Sequence, residues 1–483
     1  MNLLTKKPLD RLLAESEGAD EKGSGLQRTL SATSLVALGV GAIIGAGIFT
    51  LTGVAASTHA GPALVYSFLL AAVGCAFAGF CYSEFSTMIP IAGSAYTYAY
   101  ATMGELLAWI IGWSLVLEYA VGAATVAVSW SATVASILAD FNIKFPHALL
   151  ASPFDGTPGT VNLIAIVIVA AISTILIIGV QESARFNAVI VFIKVAVVIL
   201  FIAVGYFYIN KSNYTPFVPP NTGKFGSFGW SGVLAAAGQI FFAYIGFDAV
   251  STAAQEAKNP KRDMPIGIIG SLVICTVLYI LYSMVLTGVV NYKDLNVAAP
   301  LAVAVDRMNG LPWLGKLMKL GSLLGLTSVI LVMLLGQSRV FYSMSRDGLL
   351  PRLFSAVHPK FHTPWLSNLL LMVFVSLGAA FTPIAQLGSL TSIGTLFAFV
   401  LVCLGVIIMR KTNPDLPRPF RTPWVPVLPI MGALVNFLLM LGLGALTWTA
   451  FLTWMIIGLA VYFSYGRFHS LLTHENKGSA MKA

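Results

Sequence analysis

The chain has 483 residues, 57% hydrophobic and 10% charged, with 28 Lys and Arg against 19 Asp and Glu. Soluble domains carry about 25% charged residues, so this sequence cannot cover a water-exposed surface of its size. That excludes a cytosolic enzyme, a nucleic-acid-binding domain and a disulfide scaffold, and assigns the net +9 to loops facing an anionic membrane leaflet.

Residues 1–30 are polar, carry both signs of charge and read as a cytoplasmic N-terminal segment. A membrane span needs about 20 predominantly apolar residues. By that measure there are twelve spans: 32–57, 62–89, 105–138, 161–180, 186–209, 231–255, 265–290, 317–343, 365–383, 388–410, 426–446 and 449–466. Breakers such as Pro62, Pro153, Pro219, Pro260, Pro364, Pro383 and Pro414 fall between or at the ends of spans. The last two spans are nearly continuous, joined at Leu446 to Ala450, and a polar tail follows over 467–483.

Loop charge sets the orientation. With the N-terminus inside, the external loops hold seven basic residues: Lys144, Lys211, Lys224, Lys293, Arg307, Lys316 and Lys319. Twenty of the 28 fall in cytoplasmic segments, and the remaining one, Lys194, lies within the fifth span. This bias predicts a multi-pass protein of the cell (plasma) membrane with both termini cytoplasmic. Cys75, Cys81, Cys275 and Cys403 sit in apolar runs as buried small hydrophobes. The sequence holds no Cys/His metal cluster, phosphate-binding loop or nucleotide fingerprint. The expectation is therefore no enzyme activity, no cofactor, no nucleic acid and no ATP, with any transport driven by a gradient.

Span one reads Gly39-Val-Gly-Ala-Ile43-Ile44-Gly45-Ala46-Gly47-Ile48-Phe49, with four glycines in nine positions. Each costs about 1 kcal/mol against alanine in a helix interior. Close packing of small residues between helices is one reading. A discontinuous helix is the other. Unwinding at Gly45 to Gly47 would free the amides of Ala46, Gly47 and Ile48 at the N-terminus of a second half-helix, which attracts a carboxylate.

Span six reads Gln239-Ile-Phe241-Phe242-Ala243-Tyr244-Ile245-Gly246-Phe247-Asp248. An acidic residue inside a span is costly and functional by default. Gly246 beside it permits a break, which frees the carbonyls of Phe242, Ala243 and Ile245 to accept from an ammonium. Interrupted helices at matching places in two halves point to a binding site between inverted repeats. Donors for a carboxylate and acceptors for an amine together describe an α-amino acid.

These runs carry a resemblance. The Gly-Ala-Gly-Ile-Phe segment, Phe241 to Pro265 (FFAYIGFDAVSTAAQEAKNPKRDMP) and the 84–119 stretch ending GELLAWIIGWSLVLEY resemble the amino acid–polyamine–organocation superfamily. They are most similar to its cationic amino acid transporter branch and bacterial relatives, over essentially all twelve spans. Relatives often carry two acidic residues where this chain has Gln255-Glu256.

The resemblance implies an all-α integral membrane protein with a LeuT-like core. That core is two inverted five-helix repeats, 31–209 and 229–410, with helices 1 and 6 broken; residues 426–466 form two peripheral helices. It also implies alternating access, with Ala46 and Gly47 binding the carboxylate, Ile43, Phe242 and Ile245 accepting from the amino group, and Phe242 gating.

Lys194 lies within Val189 to Leu200, a run with no other ionisable group, so it must find a partner or lose its proton. In bacterial relatives a lysine in this span takes the place of a sodium ion beside span one. Thr327 and Ser328 resemble hydroxyl ligands of that same sodium position, the alternative to a proton. Glu118, deep in span three, could pair with Lys194 or with a water near it, and reads equally as a structural anchor and as a proton relay. Asp248 caps or gates the span-six break, and Glu84, Glu105 and Arg339 read as interfacial ion pairs.

The reading is a secondary active transporter that takes up L-amino acids, neutral or cationic, by proton-coupled symport. An amino acid or amine exchanger is the near alternative. A non-cycling receptor or channel is more distant, because the spans are too poor in polar residues to line a pore.

Overall fold

The computed structural model describes residues 5–8, 30–89, 94–179, 184–252, 254, 257–308 and 312–472. Gln255 and Glu256, most of the N-terminal segment and the tail from 473 lie outside the described residues. The described chain is helical, with one isolated parallel bridge between Leu30 and Ala257.

Among the described residues, seven helices are long and apolar enough to cross a membrane: Gly47–Met88, Glu105–Asp140, Ala188–Tyr208, Pro260–Val289, Trp313–Arg346, Ile384–Thr412 and Ala445–His469. Shorter apolar helices cover Ala32–Ile43, Leu163–Ile178, Trp365–Phe381 and Val427–Gly442. Helix starts follow local chemistry. The Ser31 hydroxyl accepts from Ser34 N at 3.3 Å, and the Asn162 carbonyl oxygen accepts from Ala165 N at 3.2 Å. The final pair of helices separates earlier than the sequence suggests, at Leu443–Gly444, where both residues turn extended.

The packing is inverted relative to a soluble protein. Large apolar side chains such as Phe192, Leu434 and Ile456 face outward from helices, whereas Glu84, Glu118, Lys194, Asp248 and Lys319 are buried. A helix surface of this kind needs lipid as its solvent. Two of these buried charges, Glu84 and Lys319, form ion pairs. Glu84 pairs with Arg410 at 2.8 Å and Arg418 at 3.4 Å, and Lys319 with Asp140 at 2.9 Å and Asp306 at 2.8 Å. Glu105 forms no simple ion pair among the described residues; Tyr100 and Tyr462 donate to its carboxylate at 3.2 and 2.9 Å, and it also bonds the Ser470 hydroxyl.

Ala32–Ile43 packs against Pro260–Val289 and the helix containing Lys194, while the half-helix starting at Gly47 lies beside the turn Phe241–Tyr244. The two interrupted segments are thus neighbours in the interior.

Candidate functional site

Both breaks expected from the sequence are present, and one of them is displaced. The last helical bond of the first segment runs from Ile44 N to Val40 O at 3.0 Å, and Ile44 is extended (ψ 106°). The chain resumes its helix at Gly47 after Ala46. The unwound residues are therefore Ile44 and Gly45 rather than Gly45 to Gly47. A β-branched residue takes the extended position, and Gly47 is already helical.

In span six, the helix Gly229–Ile240 tightens over Phe241–Tyr244, Ile245 is extended (ψ 134°), and Gly246 turns the chain at φ +117°. Side chains rarely adopt that conformation. A Cβ on Gly246 would also lie 2.8 Å from the carbonyl of Ala42, so the second break needs glycine to fit against the first. Gly47 makes the reciprocal contact, because a Cβ there would sit 2.2 Å from Ala243 Cα. Gly45 fits against Val329 of the Pro312–Arg346 helix, 3.0 Å from a Cβ position.

Interrupting a helix frees the carbonyls just before the gap and the amides just after it. Gly41 O, Ala42 O and Ile43 O lose their usual donors at Gly45, Ala46 and Gly47. Lys194 Nζ donates to Gly41 O at 2.6 Å. Ala42 O lies under Gly246. Tyr279 Oη reaches Ile43 O at 2.9 Å and Ala243 O at 2.8 Å, bringing one carbonyl from each break to one point. A hydroxyl carries one proton, so it satisfies one of these two oxygens at a time. Phe242 O accepts from Ile245 N at 3.2 Å, so this expected acceptor is engaged within its own turn.

On the amide side, Phe49 N is bonded within the new half-helix, to Gly45 O at 3.2 Å. Ala46, Gly47 and Ile48 precede it and form the positive end of a helical run to Ala60. Ile43, Ala46, Ile48, Phe242, Ala243 and Ile245 are all 3% exposed or less, so the site is closed to both faces. Thr50, one turn on, bonds Ser129 and the carbonyl of Ala298, and Gly53 lies against Pro300.

Four charged or hydroxylic candidates lie around the breaks. Glu118 is buried in a widened turn, Leu117–Val121, and its two carboxylate oxygens have no hydrogen-bond partner among the described residues. Asp248 accepts from Tyr119 Oη at 2.9 Å, so it joins spans three and six. Thr327 accepts from Trp130 Nε1 and donates to Leu323 O, both at 2.8 Å. Ser328 donates to Gly325 O at 3.1 Å, and Gly325 is the residue over which the Lys194 stem passes. The two hydroxyls therefore point to different faces, and only Ser328 lies on the side of Lys194.

Tyr279 carries no signal in the sequence, being one of 16 tyrosines with no local pattern around it. It lies well inside the Pro260–Val289 helix, where a hydroxyl must find a partner. Tyr279→Phe removes one shared donor between the breaks and keeps the ring. It should weaken substrate binding roughly 5–10-fold, about one hydrogen bond, as read by isothermal titration.

Residues 30–464 match the amino acid permease family. The chain is 46% identical to the methylthioribose transporter of Bacillus subtilis (strain 168), over 98% of this chain and 99% of that one. It is equally 46% identical to the branched-chain amino acid permease BcaP of Bacillus subtilis (strain 168), again over 98% and 99%. A plant protein, the vacuolar cationic amino acid transporter 4 of Arabidopsis thaliana, is 31% identical over 98% of this chain and 97% of its own. Facing helix breaks inside an all-helical, lipid-facing bundle thus coincide with full-length similarity to transporters rather than enzymes, and the chain belongs to the amino acid permease family.

Proposed function

We propose that the chain carries an L-amino acid, neutral or cationic, inward with a proton by alternating access across the plasma membrane. The observation that carries this reading is the convergence of Ile43 O and Ala243 O on Tyr279, beside the uncapped amides of Ala46, Gly47 and Ile48. A carboxylate sits at the amides, where the half-helix dipole favours it. The ammonium sits between the carbonyls of the two breaks, with Ile245 beside it and Phe242 closing over the ligand. Lys194 holds the coupling proton at Gly41 O, and Glu118, with Asp248 and Tyr119, forms a relay on the far side of span six.

The architecture that goes with this reading is twelve spans, with two inverted five-helix repeats (31–209 and 229–410), peripheral helices over 426–466 and both termini cytoplasmic. It is supported by the overlap of each expected span with a helix and by the excess of Lys and Arg in the inside loops.

The names of the bacterial relatives leave two solute chemistries to separate, an amino acid and a methylthio sugar. Thermal unfolding in detergent separates them. A substrate at 100 times its Kd stabilises by about 2.7 kcal/mol. L-Amino acids should raise the melting temperature, while their methyl esters and N-acetyl forms should not, since each lacks one charged end. Stabilisation by methylthioribose, with none by any amino acid, would overturn the reading.

A further inference from the structure

Four buried side chains near the chain just past the second break leave polar oxygens without a partner among the described residues: Tyr82 Oη, Tyr98 Oη, Ser251 Oγ and both carboxylate oxygens of Glu118. Each of these residues is 1% exposed or less. They come from four separate segments that the fold brings together. Ser251 follows Asp248 by one turn, and its amide donates to Asp248 O at 2.8 Å. The turn Ala249–Thr252 packs against the Leu64–Met88 helix, which carries Tyr82, and the Ser94–Thr102 helix, which carries Tyr98. The two tyrosine rings meet edge to face with centroids 6.4 Å apart, and Tyr82 meets Phe247, the neighbour of Asp248, at 5.8 Å. Glu118 precedes Tyr119, whose hydroxyl donates to Asp248 at 2.9 Å.

This group lies between the paired breaks and the face that carries both termini. Asp248 is two residues past Gly246, whereas the Ser94–Thr102 helix sits at that face. Tyr96 Oη donates to Asp347 at 2.7 Å, Leu471 N to Asp347 O at 3.2 Å, and Lys7 N to Tyr100 O at 3.1 Å. The surrounding walls are aromatic: Tyr82 packs on Phe399 at 5.4 Å, and Tyr98 stacks on Phe85 at 5.3 Å. A buried hydroxyl with no partner is unfavourable, and a phenylalanine would fill the same space without that loss. Aromatic walls offer no acceptor of comparable strength. Several polar atoms around one turn are, in contrast, what an internal water needs.

Resting on the transport reading, we propose that Tyr82, Tyr98 and Ser251 are positioning residues that hold a file of internal waters, along which the proton travels between the relay of Glu118, Asp248 and Tyr119 and the termini-bearing face. A hydroxyl donates one proton and accepts another. Each member of the file therefore takes a proton from the side of Asp248 and passes its own onward. One proton leaves a carboxyl group of the relay, one appears in bulk water, and no member of the file ends with a changed charge. Waters pass where an amino acid cannot, so the relay discharges while the aromatic side chains keep the substrate in its site.

The test is radiolytic hydroxyl-radical labelling of the full-length protein in lipid nanodiscs, read by mass spectrometry, because radicals made from bound water modify the side chains beside it. Tyr82 and Tyr98 should be modified about tenfold faster than Tyr244, which is equally buried but donates to Phe68 O at 3.1 Å. Rates within about twofold of Tyr244 would overturn the proposal. The double variant Tyr82→Phe with Tyr98→Phe removes two oxygens and keeps both rings. It should slow proton-driven uptake into proteoliposomes about fivefold, the scale of one lost hydrogen bond. Exchange of internal for external amino acid requires no proton to leave the carrier and should keep the parent rate. The melting temperature should not rise; a rise would overturn the proposal, since deleting a dry, unpaired hydroxyl stabilises a core. Labelling is read on the parent protein, so it stands even if the variant fails to fold. Parent protein that takes up nothing on a proton gradient would remove the transport reading and the route with it. Parent uptake alongside an unslowed double variant would remove the route alone.

Discussion

Gly47→Val is expected to abolish amino acid binding, lowering affinity at least ~100-fold, or about 2.8 kcal/mol. A Cβ at this position would lie 2.2 Å from Ala243 Cα and 2.8 Å from Ala243 N, so it meets backbone that cannot rotate away. The two broken segments must separate, which moves Ile43 O and Ala243 O off their common point at Tyr279. Overpacking of this kind also costs stability, typically about 1–3 kcal/mol. Gly246→Ala is the companion test, since it forces a side chain into φ +117° and against the carbonyl of Ala42. Binding by titration and melting temperature should both fall in each variant. Unchanged binding in Gly47→Val would place the substrate elsewhere.

Lys194→Ala is expected to remove proton-driven accumulation while leaving exchange of internal for external amino acid. The ammonium donates to Gly41 O, the first carbonyl released by the break, so its proton helps fix the shape of the first half-helix. Deprotonation removes the charge-assisted part of that bond, and charge-assisted hydrogen bonds are about twice as strong as neutral ones. The half-helix is then free to move. If the proton is the coupling ion, its binding and that of the substrate should strengthen each other by the same factor, as linkage requires. The substrate contacts belong to other residues, which is why exchange should survive. Lys194→Met fills more of the space left over Gly325 and should behave in the same way.

Much of the site is legible in the sequence. Gly246, two residues before Asp248, marks the span-six break, because a helix-weakening glycine and a costly acid rarely fall together inside a span. Span one is less sharply encoded. Four glycines announce a break but not its register, since Gly47 serves close packing against Ala243 and Gly45 against Val329. Tyr279 escapes because one tyrosine among 16 has no local pattern, and its partners lie 236 and 36 residues away.

The most direct test of proton coupling at the paired breaks is uptake of radiolabelled amino acid into proteoliposomes, with acid outside, potassium-set voltage and no sodium. One charge moved across about 100 mV supplies ~2.3 kcal/mol, enough for roughly fortyfold accumulation. The parent protein should concentrate substrate to that order and lose the effect when a protonophore is added, and Lys194→Ala should only equilibrate. Accumulation by Lys194→Ala equal to the parent, or uptake by the parent that requires sodium or internal amino acid, would contradict the account.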